Sequence, residues 1–260
     1  LGDPVDHSLS PVIHTAALQA GGIDGTYLAR RVDATGVRTA IDEIRMGDLD
    51  GANVTMPHKA LAASLCDRLD PDALRAGSVN TLVREGSEVV GYSTDIGGIR
   101  DAWDALPRGG PVLVLGAGGA AAAAYVALAD RRLYGSARRP EAVDEVRGRV
   151  AVEVGRLAWG VGVVGAVLVN ATPLGMEGED LPEAVVGLVS GLFDMPYGRG
   201  PTPAVRSVRR AGLPVVDGLD LLIAQAARSF RLWTGIAPSV EVMRAALENL
   251  SRPPTIGPNP

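Results

Sequence analysis

The stretch PVLVLGAGGAAAAAYVALA, residues 111–129, constrains this chain more than any other. It opens on a short apolar run, PVLVLG, the pattern of a strand buried on both faces of a parallel sheet. Glycines follow at positions 116, 118 and 119, Ala121 takes the third small position of G-x-G-x-x-G/A, and an alanine-rich helix continues from there. Such a turn is tight enough for the backbone to approach a pyrophosphate, whose charge then faces the N–H groups at the helix start. The segments after it keep the alternation. RLYGSARRP, GAVLVNATP and GLFDM read as strands, a helix is expected near Thr202 to Arg210, and LPVVDG closes the series. Residues 101–218 are therefore expected to form a doubly wound, Rossmann-type dinucleotide-binding domain.

About twenty residues past the glycine turn, an NAD site usually offers an acidic side chain to the ribose. This chain has GSARRP instead, with Arg138 and Arg139 at the end of the expected second strand. Guanidinium groups there suit an adenosine 2′-phosphate, so NADP is the expected cofactor.

The first hundred residues read as an α/β unit of their own. Pro11 to Ala20 is expected as a helix stopped by Gly21 and Gly22, and TYLARRV as a strand. Thr35 to Met46 is expected as a helix with Val37, Ala40, Ile41 and Ile44 on one face. GANVT reads as a buried strand, Lys59 to Leu69 as a helix, VNTLVRE and EVVGYST as paired strands turning around Gly86, and Asp95 to Leu106 as a helix. Two helices broken at TGIAPS fill residues 219–250, and a proline-rich tail, 251–260, ends the sequence.

Composition narrows the function. A net charge of −5 and a pI near 5.3 give no electrostatic case for nucleic acid or an anionic membrane. No apolar run approaches the roughly 20 residues of a membrane span. Cys66 is the single cysteine, which excludes an intramolecular disulfide, and His7, His14 and His58 lack zinc-site spacing, so no metal is expected. A cytoplasmic protein acting on small molecules is the expectation. Leu1 stands inside an apparent strand-to-loop transition, so a few residues are expected ahead of it; no signal peptide is visible.

Of the 25 basic side chains, 24 are arginine, and Lys59 is the one exception. Arginine keeps its proton, whereas a lysine can be tuned to give one up. A nicotinamide cofactor needs an acid/base beside the oxygen of the reacting carbon. Lys59, after a strand, and Asp95, at the entrance to the cofactor half, are the titratable candidates. Asp95 also suits a helix cap, together with Ser93 and Thr94.

In order along the chain, GDPVDHSLSP, NVTMPHK, SVNTLV, GYSTDIGG, LGAGGA, NATPLGM, DMPYGRGPTP and DGLDLLIAQA resemble the shikimate dehydrogenases and the related quinate/shikimate dehydrogenases. The resemblance spans nearly the whole sequence. It implies a substrate domain over residues 1–100, the cofactor domain over 101–218, and C-terminal helices over 219–250 that return to the substrate domain. It further implies reversible NADPH-dependent reduction of 3-dehydroshikimate to shikimate by a monomer or homodimer. Quinate, aminoshikimate and a non-catalytic ligand sensor are the alternatives. Lys59 would be the acid/base, paired with Asp95. Ser8 and Ser10 would bind the substrate carboxylate; Thr55, Asn80, Asp95 and Gln225 the ring hydroxyls; and Tyr197 would help close the site. Gly116, Ala117, Gly118, Gly119 and Ala120 would hold the pyrophosphate, Arg138 and Arg139 the 2′-phosphate, with Thr172, Met195 and Gly218 near the cofactor. Six positions depart from the family pattern: Thr15 for asparagine, Ser93 for asparagine and Ile96 for glycine around Asp95, Ala137 for asparagine and Arg139 for threonine around Arg138, and Asp220 for glycine.

Overall fold

A computed structural model describes residues 1–6, 8–198 and 200–250. The expected tail, 251–260, and His7 lie outside the described residues. The first part of the chain runs α1 (Ser10–Ala20), α2 (Ala34–Met46), β1 (Gly51–Asn53), α3 (Lys59–Leu65), β2 (Arg68–Leu69), α4 (Pro71–Ala76), β3 (Thr81–Glu85) and β4 (Glu88–Tyr92). Its four strands form a sheet in the order β1-β3-β4-β2, antiparallel except for the β2–β4 pair. The β3–β4 hairpin turns at Gly86, whose φ of 65° explains the glycine. The expected α2 stripe is the buried face: Val37, Ala40, Ile41 and Ile44 all point into the core.

α5 (Thr94–Ala102) and a 3₁₀ turn (Trp103–Ala105) lead to the second sheet. There follow β5 (Val112–Leu115), α6 (Gly119–Ala127), β6 (Leu133–Ser136), α7 (Glu141–Val150), β7 (Gly155–Leu157), β8 (Val167–Asn170), α8 (Glu183–Val186), β9 (Gly191–Asp194), α9 (Pro203–Arg210) and β10 (Val215–Val216). The six strands are all parallel, in the order β10-β9-β8-β5-β6-β7. This is the doubly wound order, with its topological switch between β5 and β8. β5 is buried on both faces. Val112 and Val114 pack with the α6 alanines, and Leu113 and Leu115 with Val205 and Val208 of α9 on the other side. The alanine run lets α6 lie close on the sheet. Gly135 of β6 makes the space for Tyr125, since a Cβ there would stand 2.2 Å from the Tyr125 Oη.

α10 (Gly218–Thr234) and α11 (Val240–Leu250) return to the first part of the chain, where Ile223, Phe230, Met243 and Leu247 enclose Ile13 and Ala17 of α1. α10 also lies tightly along α5. A Cβ at Gly97 would fall 2.5 Å from Arg228 Nη1, and Arg228 grips Asp101 through a two-pronged ion pair at 2.6 and 2.7 Å. No helix among the described residues is long and apolar enough to cross a membrane.

Several expected elements change. TYLARRV is not a strand: only Arg31 makes a bridge, to Gly2, and Leu28 is 80% exposed. A β-prone run without a neighbour along its length makes no ladder. GANVT contributes a three-residue strand that is half-buried rather than buried. The helix from Lys59 stops at Leu65 because Cys66 turns extended, and Arg68 and Leu69 then pair with Val90 and Gly91. Leu61, Leu65 and Leu69, spaced by four, carry the helical reading past its true end. α4 follows with its own signals. Asp70 accepts from the Ala73 N–H at 2.9 Å, Pro71 sits in the first turn, and Gly77 closes the helix at φ 60°. α7 and β7 add a crossover and an edge strand that the sequence reading does not contain.

Candidate active site

Lys59 is the first residue of α3, and its Nζ donates to Asp95 Oδ2 at 2.6 Å, with the two side chains 26% and 13% exposed. The loop that delivers it is fastened on two sides. His58 Nε2–H donates to the Val32 carbonyl at 2.8 Å, and the Lys59 carbonyl accepts from the Val79 N–H at 3.1 Å. Asp95 lies in the first turn of α5 but does not cap it. Ser93 is the N-cap residue, no side chain makes the capping bond, and the Asp95 carboxylate goes to the lysine instead.

Asn80, 5% exposed, follows the same strand edge. Its Oδ1 accepts from the Thr94 N–H at 2.7 Å and from the Thr94 hydroxyl at 3.1 Å, so the residue before Asp95 locks the asparagine amide. Gln225, on α10, is pressed against α5; a Cβ at Gly98 would stand 3.0 Å from its Cγ. Ser10 hydrogen-bonds the Tyr27 phenol, and Tyr197 lies near enough to Tyr27 to influence it electrostatically. Burial raises both phenols above their ordinary pKa. Ser8 partly caps α1: its Oγ accepts the Ser10 N–H at 3.3 Å. Thr55 is exposed and held through its backbone to Leu1 and His58, and among the described residues no hydrogen bond from its hydroxyl joins it to this cluster.

The residues expected at the cofactor form a continuous row along the carboxyl ends of the parallel strands, where such sheets bind ligands. A Cβ at Gly116 would lie 2.7 Å from the Ala171 carbonyl and 3.3 Å from Thr172 Cγ2. The Thr172 hydroxyl donates to Asn170 Oδ1 at 2.6 Å, and the Asn170 carbonyl accepts from the Met195 N–H at 3.1 Å. Gly218 completes the row: a Cβ there would sit 2.7 Å from the Met195 carbonyl. Beneath it, the Asp194 carboxylate, fully buried, accepts from Asn170 Nδ2 at 2.7 Å and from the Thr202 hydroxyl, and desolvation raises its pKa.

The glycine turn fits a dinucleotide phosphate. Gly116 has φ 114°, a conformation that disfavours a side chain; Gly118 has open space where a Cβ would be; and no side chain caps α6 at Gly118. A Cβ at Gly119 would stand 3.8 Å from Ser78 Oγ, so the turn also faces the strand edge that leads to Asn80. The two arginines after β6 differ. Arg139 is ion-paired with Glu145 at 3.1 Å, whereas Arg138 lies over the Trp159 ring at 6.0 Å and has no ion-pair partner among the described residues.

Comparison with known proteins places the chain. The family model of the shikimate dehydrogenase substrate binding domain matches residues 1–82, and that of the shikimate 5′-dehydrogenase C-terminal domain matches residues 218–248. Curated shikimate dehydrogenases (NADP+) of Archaeoglobus fulgidus and Pyrococcus abyssi are each 38% identical, with coverage of 95% and 97% respectively of both chains. The chain belongs to the shikimate dehydrogenase family. A shikimate dehydrogenase solved with NADP+ superposes with a TM-score of 0.88 at 30% identity, covering 97% of this chain and 94% of that one. The Thermus thermophilus shikimate 5-dehydrogenase solved with NADP(H) and shikimate gives 0.84 at 31% identity, covering 95% and 97%.

Within the shikimate dehydrogenase pattern, two of the local departures have physical accounts. Asp220 builds a capping box with Asp217 at the start of α10 and pairs with Arg244 of α11 at 2.9 Å. It thereby ties the two terminal helices together. Ser93, 7% exposed, has its N–H directed to Asp70 Oδ1 at 3.3 Å, which anchors α5 to the cap of α4. The sequence reading passes over the buried hydroxyls around Asn80 and the amide of Asn53. No sequence signal marks them, since a lone serine in a helix, as at Ser229 in α10, shows nothing of the strands that meet over it.

Proposed function

We propose that this protein catalyses the reversible NADP-dependent interconversion of 3-dehydroshikimate and shikimate, a step toward chorismate and the aromatic amino acids. The observation that carries the reading is the 2.6 Å contact between the chain's one lysine and Asp95, beside a glycine turn fit for a dinucleotide. In this reading residues 1–100 serve the substrate, 101–218 the cofactor, and 219–250 return Gln225 to the substrate side. The enzyme is cytoplasmic and a monomer or homodimer.

When bound, NADPH supplies the hydride taken up by the C3 carbon of the ketone. The chain's own part is the proton. Lys59, as the ammonium, gives a proton to the C3 oxygen; in the reverse direction its neutral amine takes the hydroxyl proton back. Asp95 orients the amine through Oδ2 and offers Oδ1 to the substrate hydroxyl. Thr55, Asn80 and Gln225 bind the remaining ring hydroxyls, Ser8 and Ser10 the carboxylate, and Tyr197 helps close the site. Short hydroxyl donors on a loop suit a carboxylate, since two of them share its charge. Gly116, Ala117, Gly118, Gly119 and Ala120 hold the pyrophosphate, Arg138 and Arg139 the 2′-phosphate, and Thr172, Met195 and Gly218 border the nicotinamide half.

Parallel assays of shikimate, quinate and aminoshikimate, each with NADP+ and NAD+, test the reading. The highest kcat/KM is expected for shikimate with NADP+. A preference for quinate with NAD+ would overturn it.

A further inference from the structure

Ser229, on the inward face of α10, has no solvent-exposed surface. Its Oγ lies 2.9 Å from Asn53 Nδ2, 3.0 Å from Thr81 Oγ1, 3.3 Å from Thr94 Oγ1 and 3.1 Å from the Gln225 carbonyl. Each partner belongs to a different segment, and each segment carries a residue assigned to the substrate. Asn53 leads into the stretch of Thr55 and Lys59; Thr81 follows Asn80; Thr94 precedes Asp95; Gln225 lies one helical turn before Ser229.

A hydroxyl has one proton to give and two lone pairs. The Gln225 carbonyl can only accept and the Asn53 amide nitrogen can only donate. The Ser229 proton therefore goes to Gln225, one lone pair takes the Asn53 N–H, and the other is filled by a threonine hydroxyl. Thr94 passes the order on, holding Asn80 Oδ1 through its N–H at 2.7 Å. On the far side, the Tyr27 hydroxyl donates to Asn53 Oδ1 at 2.8 Å and carries the chain of bonds toward Ser10. Bonds in such a buried network are strong individually and costly to leave unmade, so the network admits few alternative arrangements.

We propose that Ser229 is a positioning residue for the reaction: its hydroxyl is the knot that fixes the segments of Lys59, Asn80, Asp95 and Gln225 relative to one another, without touching the substrate. The inference rests on the functional reading above. Misplacement of reacting groups by about 1 Å can cost on the order of 100-fold in rate, so loosening the knot acts on turnover and on the substrate, while the cofactor row along the other sheet is left in place.

The test is Ser229→Ala, assayed with 3-dehydroshikimate and NADPH well below its melting temperature, with shikimate binding followed by calorimetry. The expected result is a fall in kcat of on the order of tenfold to 100-fold, a raised KM for 3-dehydroshikimate, weaker shikimate binding and an unchanged KM for NADPH. Thr81→Val, nearly isosteric, removes a second hydroxyl of the network and is expected to give the same signature. The double variant is expected to lose no more than either single one, as for groups that act as a unit. A lowered melting temperature with unaltered kinetic constants would assign Ser229 a packing role only and overturn the proposal, as would multiplicative losses in the double variant. Should Ser229→Ala fail to fold, Ser229→Cys and Thr81→Val carry the same comparison. Wild-type protein that binds shikimate without turning it over would count against the functional reading, while the calorimetric arm would still decide the role of Ser229.

Discussion

Lys59 Nζ stands 2.6 Å from Asp95 Oδ2, although the residues are 36 positions apart and arrive on the first turns of two different helices. In the proposed reaction, that meeting sets the lysine apart from the arginines that fill every other basic position. Lys59→Arg keeps the charge and removes the transferable proton. Its kcat is expected to fall by on the order of 10² to 10⁴, with a far smaller change in KM for shikimate. Steady-state kinetics check this; proportional losses in both constants would mark a binding role instead.

Arg138 and Arg139 are adjacent in sequence but differ in what they touch. Arg139 is engaged by Glu145, whereas Arg138 makes no ion pair among the described residues and feels Glu179 only at longer range. Charge-assisted hydrogen bonds are worth about 1.5–3 kcal/mol, so Arg138→Ala should raise KM for NADPH by roughly 10- to 100-fold and leave that for NADH unaltered. Arg139→Ala should have the smaller effect. Equal effects from both substitutions would refute the distinction.

Gly116 combines φ 114° with a site in which a Cβ would stand 2.7 Å from the Ala171 carbonyl. Gly116→Ala must shift backbone on two strands at once. A loss of about 1–3 kcal/mol is expected in thermal unfolding, with weaker NADP+ binding by calorimetry. An unchanged melting temperature would show that the turn can relax.

His14 is stacked 4.3 Å from Tyr27, packs beside Phe230 and Trp233, and among the described residues has no hydrogen-bond partner for its buried Nδ1. Burial pushes its pKa from 6.5 down to about 4. The neutral imidazole is thus the form that folds. Its contribution is present in full above about pH 6.5 and is lost as the pH falls toward 4, a change of about 3 kcal/mol. Chemical denaturation between pH 7 and 4 should show that slope, and His14→Phe should flatten it. An undiminished slope in the variant would place the acid sensitivity elsewhere, with the other paired carboxylates.

The cofactor half is the more legible part of the sequence, because each buried parallel strand is a short apolar block and the glycine turn marks where the first one ends. β7 leaves no mark in the sequence because its three residues, Gly155 to Leu157, are mostly exposed and carry no alternation. The overlong helix expected from Lys59 has a different cause: a periodicity of apolar residues survives across a change of element, and only the capping chemistry of Asp70, Pro71 and Gly77 reveals the break. TYLARRV shows the limit of β-propensity, since pairing depends on what lies alongside. Lys59 could be singled out by its rarity. Ser229 could not, because a hydroxyl's importance depends on which strands meet over it, and that is a property of tertiary packing.

Gly97, beneath Arg228, brings α5 and α10 into contact, and between them these helices make both passages from one sheet to the other. α5 carries Asp95 in its first turn, beside Lys59, and ends against the six-stranded sheet; α10 begins with Gly218, beside Met195, and reaches Gln225 further along. Asp95, Gly218 and Gln225 therefore ride on the two beams that join the sheets, and a substitution that loosens either beam is felt at the proposed site on both sides of the molecule.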